Sequence, residues 1–392
     1  MTYRGDPPPS DAPKERVAGR RHMHFAALAF VAFLVVVQVP LCLYAVARGA
    51  PIGAAALGFA LMQSVIIVRI RYLPKPLPPP VWFERWLVWG FFAIAAVGAW
   101  FTPLGGLAWL LGRAFEAHAA AILDASFGLS ILLGALAAGI PWRRVVVRVL
   151  EVPIAGLPMA FDGFRIAHLT DLHSGPLVPE RWIRSWAEQA NALSPDLVAL
   201  TGDLIAAGDT FIPHLERGLS PLKAPVVAVL GNHDYFGGAA PALRAMHGRL
   251  GHKLLDNRHV VLLRGDDRLV IAGTDDTWTG SDDLDAALAS APRDVPVVLL
   301  AHDPVLFGTA VTRGVELQLS GHVHGGQVAI PGLGLAGSPL VWLGFPFVRG
   351  LYRRGRSQLW LGAGLGTTGA PIRVGVPSEL PLLILRRAPD RR

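Results

Sequence analysis

Side chains able to hold a metal ion fall in five short clusters along the 392 residues. In chain order these are Asp171-Leu172-His173, Gly202-Asp203, Gly231-Asn232-His233-Asp234, Ala301-His302 and Gly321-His322-Val323-His324-Gly325-Gly326. Their donors are carboxylates, an amide oxygen and imidazoles, with no thiolate. Such a set suits Mn, Fe, Zn or a similar divalent ion better than calcium, and it exceeds what one tetrahedral zinc takes. Two ions sharing a bridging carboxylate account for the surplus. A pair of this kind, about 3.5–4 Å apart, clamps a phosphate and activates water for in-line attack. A purely structural role would instead bury several unpaired imidazoles and carboxylates, which is costly.

Each cluster follows a short apolar run, at 164–169, 197–201, 226–230, 297–300 and 315–319. These runs read as buried strands. They alternate with amphipathic stretches at 179–193, 211–219, 239–250 and 282–289, the pattern of an α/β domain. Five strand ends would then converge on the carboxyl edge of a sheet, where open α/β sheets bind ligands. Glycines beside the clusters let the backbone turn sharply there.

The ordered set D-x-H, G-D, G-N-H-[DE], H and G-H-x-H resembles the calcineurin-like metallophosphoesterase superfamily. Within it, the chain is most similar to a bacterial membrane-associated branch whose last motif reads G-H-x-H-G-G-Q, matched by residues 321–327. Gly364-Leu365-Gly366-Thr367-Thr368-Gly369, Pro371-Ile372-Arg373 and Pro377-Ser378-Glu379 also look like that branch. One such motif is weak, but all five in order are specific. The resemblance covers residues 162–386 and implies a four-layer α/β/β/α sandwich holding two divalent ions. It implies Asp171, His173 and His324 on one ion and Asn232, His302 and His322 on the other, bridged by Asp203. It also implies catalytic roles for Asp203 and for His233, which would lie beside the ions without binding them. There His233 would stabilise phosphate oxygens or protonate the leaving group. Asp234 is expected to orient its loop. The phosphoprotein-phosphatase branch continues its second motif as G-D-x-V-D-R-G, whereas this chain reads Gly202-Asp203-Leu204-Ile205-Ala206-Ala207-Gly208. The carboxylate that would support the catalytic histidine and the neighbouring arginine are both missing, which disfavours a phosphoprotein substrate. Asp209 is the nearby carboxylate that could substitute.

The rest of the chain has a different solvent. Mean hydropathy is +0.43, with 52% hydrophobic and 17% charged residues, which excludes a disordered chain. The net charge of +7 divides unevenly: residues 1–150 hold 14 basic and 6 acidic side chains, the remainder 22 and 23. The basicity thus belongs to membrane-flanking segments, and no nucleic-acid partner is predicted. Four apolar runs, at 25–47, 52–68, 86–111 and 119–140, suggest about four transmembrane helices. Trp86, Trp89, Trp100 and Trp109 suit a membrane interface. Asp124 lies near one end of its run, where an interhelical hydrogen bond is the expected role. Twelve basic residues flank one side of the four runs and two, Arg48 and Arg113, the other. With four spans, that bias puts both the N-terminal tail and the C-terminal domain in the cytoplasm of a multi-pass inner-membrane protein. The expected division is a disordered tail at 1–20, a transmembrane helical domain at 21–148 and a metallophosphoesterase domain at 155–388. The single cysteine, Cys42, excludes an intramolecular disulfide and reads as a small buried hydrophobe.

Outside the clusters, His168 reads as a core histidine, while His214, His247, His252 and His259 read as surface residues. Residues 339–352 are apolar and precede Arg353, Arg354 and Arg356. They suit a hairpin turning at Gly355, or a loop dipping into lipid headgroups. The combined reading is a membrane-anchored phosphoester hydrolase, acting as a phosphodiesterase or pyrophosphatase on a lipid-linked or nucleotide-lipid substrate. The analogy is to the lipid A pathway hydrolase of UDP-2,3-diacylglucosamine in the same superfamily. The alternative is a membrane sensor or transport accessory that uses the metal site for binding only.

Overall fold

Short runs of Val, Ile and Leu, flanked by glycine and polar turns, build two six-stranded sheets. The computed structural model describes residues 28–29, 31–72, 80–139 and 145–388. The expected tail, the start of the first apolar run and most of the proline-rich loop at 73–80 lie outside the described residues. In chain order the strands are β1 (Val145–Ile154), β2 (Arg165–Leu169), β3 (Leu197–Thr201), β4 (Val226–Val229), β5 (Lys253–Leu254) and β6 (Arg258–Arg264). They continue with β7 (Asp267–Gly273), β8 (Val297–Leu300), β9 (Leu317–Ser320), β10 (Gly350–Arg354), β11 (Ser357–Leu361) and β12 (Ser378–Arg387). One sheet has the order β1-β12-β2-β3-β4-β5, the other β10-β11-β9-β8-β7-β6. Strands β2, β3 and β4 run parallel, as do β7, β8 and β9, so the strand ends that carry the clusters share a direction within each sheet.

Alternation along each strand sends side chains to opposite faces. Ile166, Leu197, Ala199 and Val229 from the first sheet meet Ile271, Val298, Leu300 and Leu319 from the second in one buried cluster. The intervening Ala167, Leu169, Val198 and Leu200 pack outward, against Ile183, Trp186, Leu215, Leu243 and Met246 of the helices Glu180–Ala192, Ile212–Leu219 and Ala240–Arg249. On the other sheet Val270, Ala272 and Leu299 face Leu284, Ala287, Leu306 and Ala310. Burying each such aliphatic side chain contributes roughly 1.5–3 kcal/mol.

Two features depart from the sequence reading. Strand β1 begins at Val145, ahead of the boundary drawn at 155. Its run of Val145, Val146, Val147 and Val149 pairs in parallel with the chain's last strand, from Val145↔Ser378 to Ile154↔Arg387. Arg148, one of the twelve basic residues counted above on the membrane flank, forms an ion pair with Glu379. The second concerns the span count. Among the described residues three helices are long and apolar enough to cross a membrane, within Ile52–Arg69, Phe83–Ala114 and Glu116–Ala137. Of the first run, whose start lies outside the described residues, the shorter apolar helix Val31–Ala47 is described, with a turn at Val37 and Gln38. Pro40 then sits in the first turn of Val39–Ala47, where a missing N–H costs little. Asp124 accepts hydrogen bonds from Tyr44 Oη at 2.7 Å and Arg48 Nε at 2.8 Å, which ties two helices together.

Candidate metal centre

The clusters sit where the sheets' parallel strands end, and the backbone there is strained. Asp171, His173, Asp203, His322 and His324 all have left-handed backbones, with φ of 55°, 47°, 54°, 74° and 54°. Non-glycine residues rarely occupy this region, at a cost of about 1–2 kcal/mol each. Glycine would relieve the strain but would bring no donor atom. Where space is lacking, glycine is present: a Cβ at Gly321 would meet Thr170 Oγ1 and Asp171 Oδ2, and one at Gly231 would meet Asp203 Oδ1.

The turns bring the seven side chains into two groups. In the first, His324 Nε2 lies 3.2 Å from Asp171 Oδ1 and 3.0 Å from His173 Nε2, which is 3.5 Å from Asp203 Oδ2. In the second, His302 Nε2 lies 3.3 Å from Asp203 Oδ1 and 3.2 Å from His322 Nδ1, which is 3.0 Å from Asn232 Oδ1. Donor atoms of Asp171, His173, Asp203 and His324 all lie within 4.8 Å of one another, and so do those of Asp203, His302 and His322. Asp203 belongs to both groups, one carboxylate oxygen facing each.

The chemistry of these groups fits a cation. Two imidazole nitrogens 3.0 Å apart, His173 Nε2 and His324 Nε2, can share only one proton. His302 Nδ1 lies 2.7 Å from the Thr201 carbonyl, which can only accept, so Nε2 of the neutral ring keeps its lone pair toward the centre. Burial pushes Asp171 up to about 7 and His173 down to about 3. Burial also opposes charge on Asp203, yet the His302, His233 and His173 rings outweigh it and hold this carboxyl well below its usual range. At His302, likewise, the Asp203 carboxylate overrides burial and holds the imidazole well above its ordinary value. Asp203 therefore keeps its negative charge in this buried setting.

His233 stands beside both groups and in neither. Its ring meets His173 edge-on at 4.7 Å, and its backbone N–H donates to Asp203 Oδ1 at 2.9 Å. Its Nδ1 donates to the Ala206 carbonyl at 2.8 Å, while Nε2 lies 3.3 Å from Thr368 Oγ1. A backbone carbonyl thus occupies the supporting position considered for Asp209, which is exposed. Asp234 is wholly buried and accepts from the N–H groups of Leu204 at 2.8 Å, Ile205 at 3.1 Å and Gly231 at 2.9 Å. It orients the turns that carry Asp203 and Asn232.

The sequence reading gave no role to Thr368, Gln327 or Arg373. Gln327 Nε2 donates to the carbonyls of Thr368 at 2.9 Å and Ala370 at 3.1 Å, and its Oε1 accepts from Thr368 N at 2.9 Å. Arg373 is fully buried behind His324, with Nη2 3.4 Å from its Nδ1 and 2.8 Å from the Ala363 carbonyl. Burial lowers this guanidinium to about 10. Both Thr368 and Arg373 lie in the glycine-rich segment resembling the family, but no spacing rule marks them. His168 is buried, with Nε2 2.7 Å from Thr201 Oγ1. His247 corrects the surface assignment: it is buried, with Nδ1 3.1 Å from His252 Nδ1. His259 Nδ1 donates to the Ala287 carbonyl at 2.8 Å.

The chain is similar to several known proteins. Residues 164–326 match the family described as calcineurin-like phosphoesterase. A transmembrane protein with metallophosphoesterase domain from Danio rerio is 30% identical over 260 residues, covering 61% of this chain and 57% of that protein. An uncharacterized metallophosphoesterase of Bacillus subtilis is 29% identical over 235 residues, covering 59% of this chain and 82% of that protein. The chain spans little more than half the length of the vertebrate relatives it matches. Among solved structures, a dimetal phosphatase from Danio rerio aligns with a TM-score of 0.34 at 14% identity, over 52% of this chain and 88% of that one.

Proposed function

We propose, from the match of residues 164–326 to the calcineurin-like phosphoesterase family, that the chain is a membrane-anchored two-metal phosphoester hydrolase. The observation that carries this reading is the pair of donor groups sharing Asp203, with His233 beside both. Asp171, His173, His324 and Asp203 would hold one divalent ion. Asn232, His302, His322 and Asp203 would hold the other. Such ions, when bound, polarise a phosphoryl oxygen and lower the pKa of water.

The chain's own residues supply the rest. His233 is fixed as a donor at Nδ1 by the Ala206 carbonyl, which leaves Nε2 to hold or give a proton on the side of the metal groups. There it stabilises a phosphate oxygen or protonates the leaving oxygen, a contribution of about 10²–10⁴ in rate. Gln327 holds Thr368 against that nitrogen. Buried turns on both sides keep bulk water from the ligands. The α/β/β/α layering implied by the family is supported by buried clusters on both faces of the sheets.

We assign the substrate to phosphodiesters or pyrophosphates that are lipid-linked, including nucleotide-lipids such as a UDP-diacylglucosamine. Three apolar helices exceed what simple tethering needs, and the missing carboxylate and arginine argue against phosphoproteins. With the first run counted as a fourth span, the bias of basic flanks, eleven to two once Arg148 is placed in β1, supports a multi-pass inner-membrane protein with the catalytic domain in the cytoplasm. A C-terminal reporter fusion should read cytoplasmic, and an external reading would reverse the topology. Detergent-purified protein loaded with Mn should hydrolyse bis(p-nitrophenyl) phosphate, then select among phospholipids, nucleotide-linked lipids and cyclic nucleotides. No turnover by a preparation shown to hold metal would favour the sensor role.

A further inference from the structure

The loop between the His324 turn and β10 exposes Ile330, Leu333, Val341 and Trp342, at 47%, 56%, 36% and 62% of their surfaces. Other apolar side chains of the loop are engaged inward. Phe347 packs with Phe307, Leu359 and Leu361, with Phe345 against them. The Trp342 ring is held in place by Nε1 donating to the Ala336 carbonyl at 2.8 Å. Four large apolar side chains offered together on one loop form a surface that calls for an apolar partner.

The position of the loop identifies that partner. At its root Val328 bridges Val374 and Gly375, and Ala329 N–H donates to the Val374 carbonyl at 2.7 Å. Two residues earlier, Ile372 packs with Ala370 against Phe83, Phe91 and Phe92 of the apolar helices. The adjacent Gly369 carbonyl accepts from Arg69 Nη1 at 2.6 Å. Arg69 closes the candidate span Ile52–Arg69 and pairs at 3.1 Å with Glu84, at the start of the next. Trp82 and Trp86 are exposed at the same helix end, at 59% and 71%. Charged ends of spans and exposed tryptophans lie at the bilayer boundary. They set the Gly369 turn, and the loop rooted beside it, level with the membrane surface.

We propose that residues 328–345 insert Ile330, Leu333, Val341 and Trp342 into the headgroup region of the bilayer crossed by the chain's own helices. The insertion presents the metal centre to phosphoesters carried at that surface. The occupant is the lipid interface, whose boundary is apolar below and polar above. The insertion itself rests on the apolar helices being spans. Its consequence for the substrate rests on the hydrolase reading.

The test uses the full chain reconstituted in phosphatidylcholine–phosphatidylglycerol vesicles. Cys42 is the only cysteine, so a C42S background accepts one label. An NBD fluorophore is attached at Trp342→Cys, at Leu333→Cys, or at Leu263→Cys on the opposite edge strand β6, where Leu263 is 67% exposed. Labels at 342 and 333 should be blue-shifted and quenched by nitroxide-bearing lipid, while the label at 263 should show neither. Water-like, unquenched emission at both loop positions overturns the proposal, whatever the protein hydrolyses. In parallel, the Leu333→Ser, Trp342→Ser double variant should lose turnover of a vesicle-borne phosphodiester and keep that of bis(p-nitrophenyl) phosphate. An equal rate on the vesicle substrate would contradict the link between insertion and substrate.

Discussion

Replacing Asp234 by alanine tests how the site is held together without touching a donor atom. The carboxylate is fully buried and accepts three backbone N–H groups, from Leu204, Ile205 and Gly231. These lie on the two turns that carry Asp203 and Asn232. A buried donor left without a partner costs about 1–3 kcal/mol. Water entering the vacated space would satisfy one of the three, and the two left unpaired put the expected loss at about 2–6 kcal/mol. For a domain of this size each kcal/mol shifts the midpoint by roughly 2–4 °C, so the melting temperature should fall by roughly 4–24 °C. Asp234→Asn keeps one accepting oxygen and should fall between the variant and the parent. The assay is tryptophan-monitored melting of detergent-solubilised protein with metal chelated, because bound ions would stabilise the fold and mask the loss. A midpoint for Asp234→Ala within about 2 °C of the parent would refute the idea that this side chain organises the turns.

His233→Ala should lower turnover by about 10²–10⁴ while metal content stays unchanged, as measured by elemental analysis beside the kinetics. Equal loss of metal would make His233 a ligand. Acid should destabilise the fold through two buried histidines, because burial lowers both His168 and His247 to about 3. The unfolded chain then takes up protons near pH 6.5 that the folded chain refuses, so stability falls as pH drops from about 6.5 toward 3. Each histidine contributes about 2 kcal/mol of loss by pH 5, and His247→Gln should remove its share of the drop in urea midpoints between pH 8 and pH 5. An unchanged drop would contradict the burial assignment.

How much of this was legible depended on distance along the chain. Each donor cluster directly follows its strand, so Leu197–Thr201 and Asp203 are read in one glance. Strand β1 pairs with β12 from the other end of the chain, and its valines and Arg148 look like a membrane exit until Glu379 is placed beside them. Thr368 reaches His233, and Arg373 reaches His324, only through tertiary contact. His247 lies on an amphipathic helix whose buried side cannot be fixed from polarity when the residue itself is both polar and apolar. In the first apolar run Pro40 removes one backbone N–H just after the turn at Val37 and Gln38, a local break that hydropathy alone does not register.

The shared carboxylate is the centre of the functional reading, and Asp203→Asn addresses it most directly. Asparagine tolerates the left-handed backbone found at this position, so the turn should survive the change. Elemental analysis of the parent protein should find two divalent ions per chain, and Asp203→Asn should lose at least one together with Mn-dependent hydrolysis of bis(p-nitrophenyl) phosphate. Full metal content and undiminished turnover in Asp203→Asn would contradict a dinuclear centre bridged by this residue.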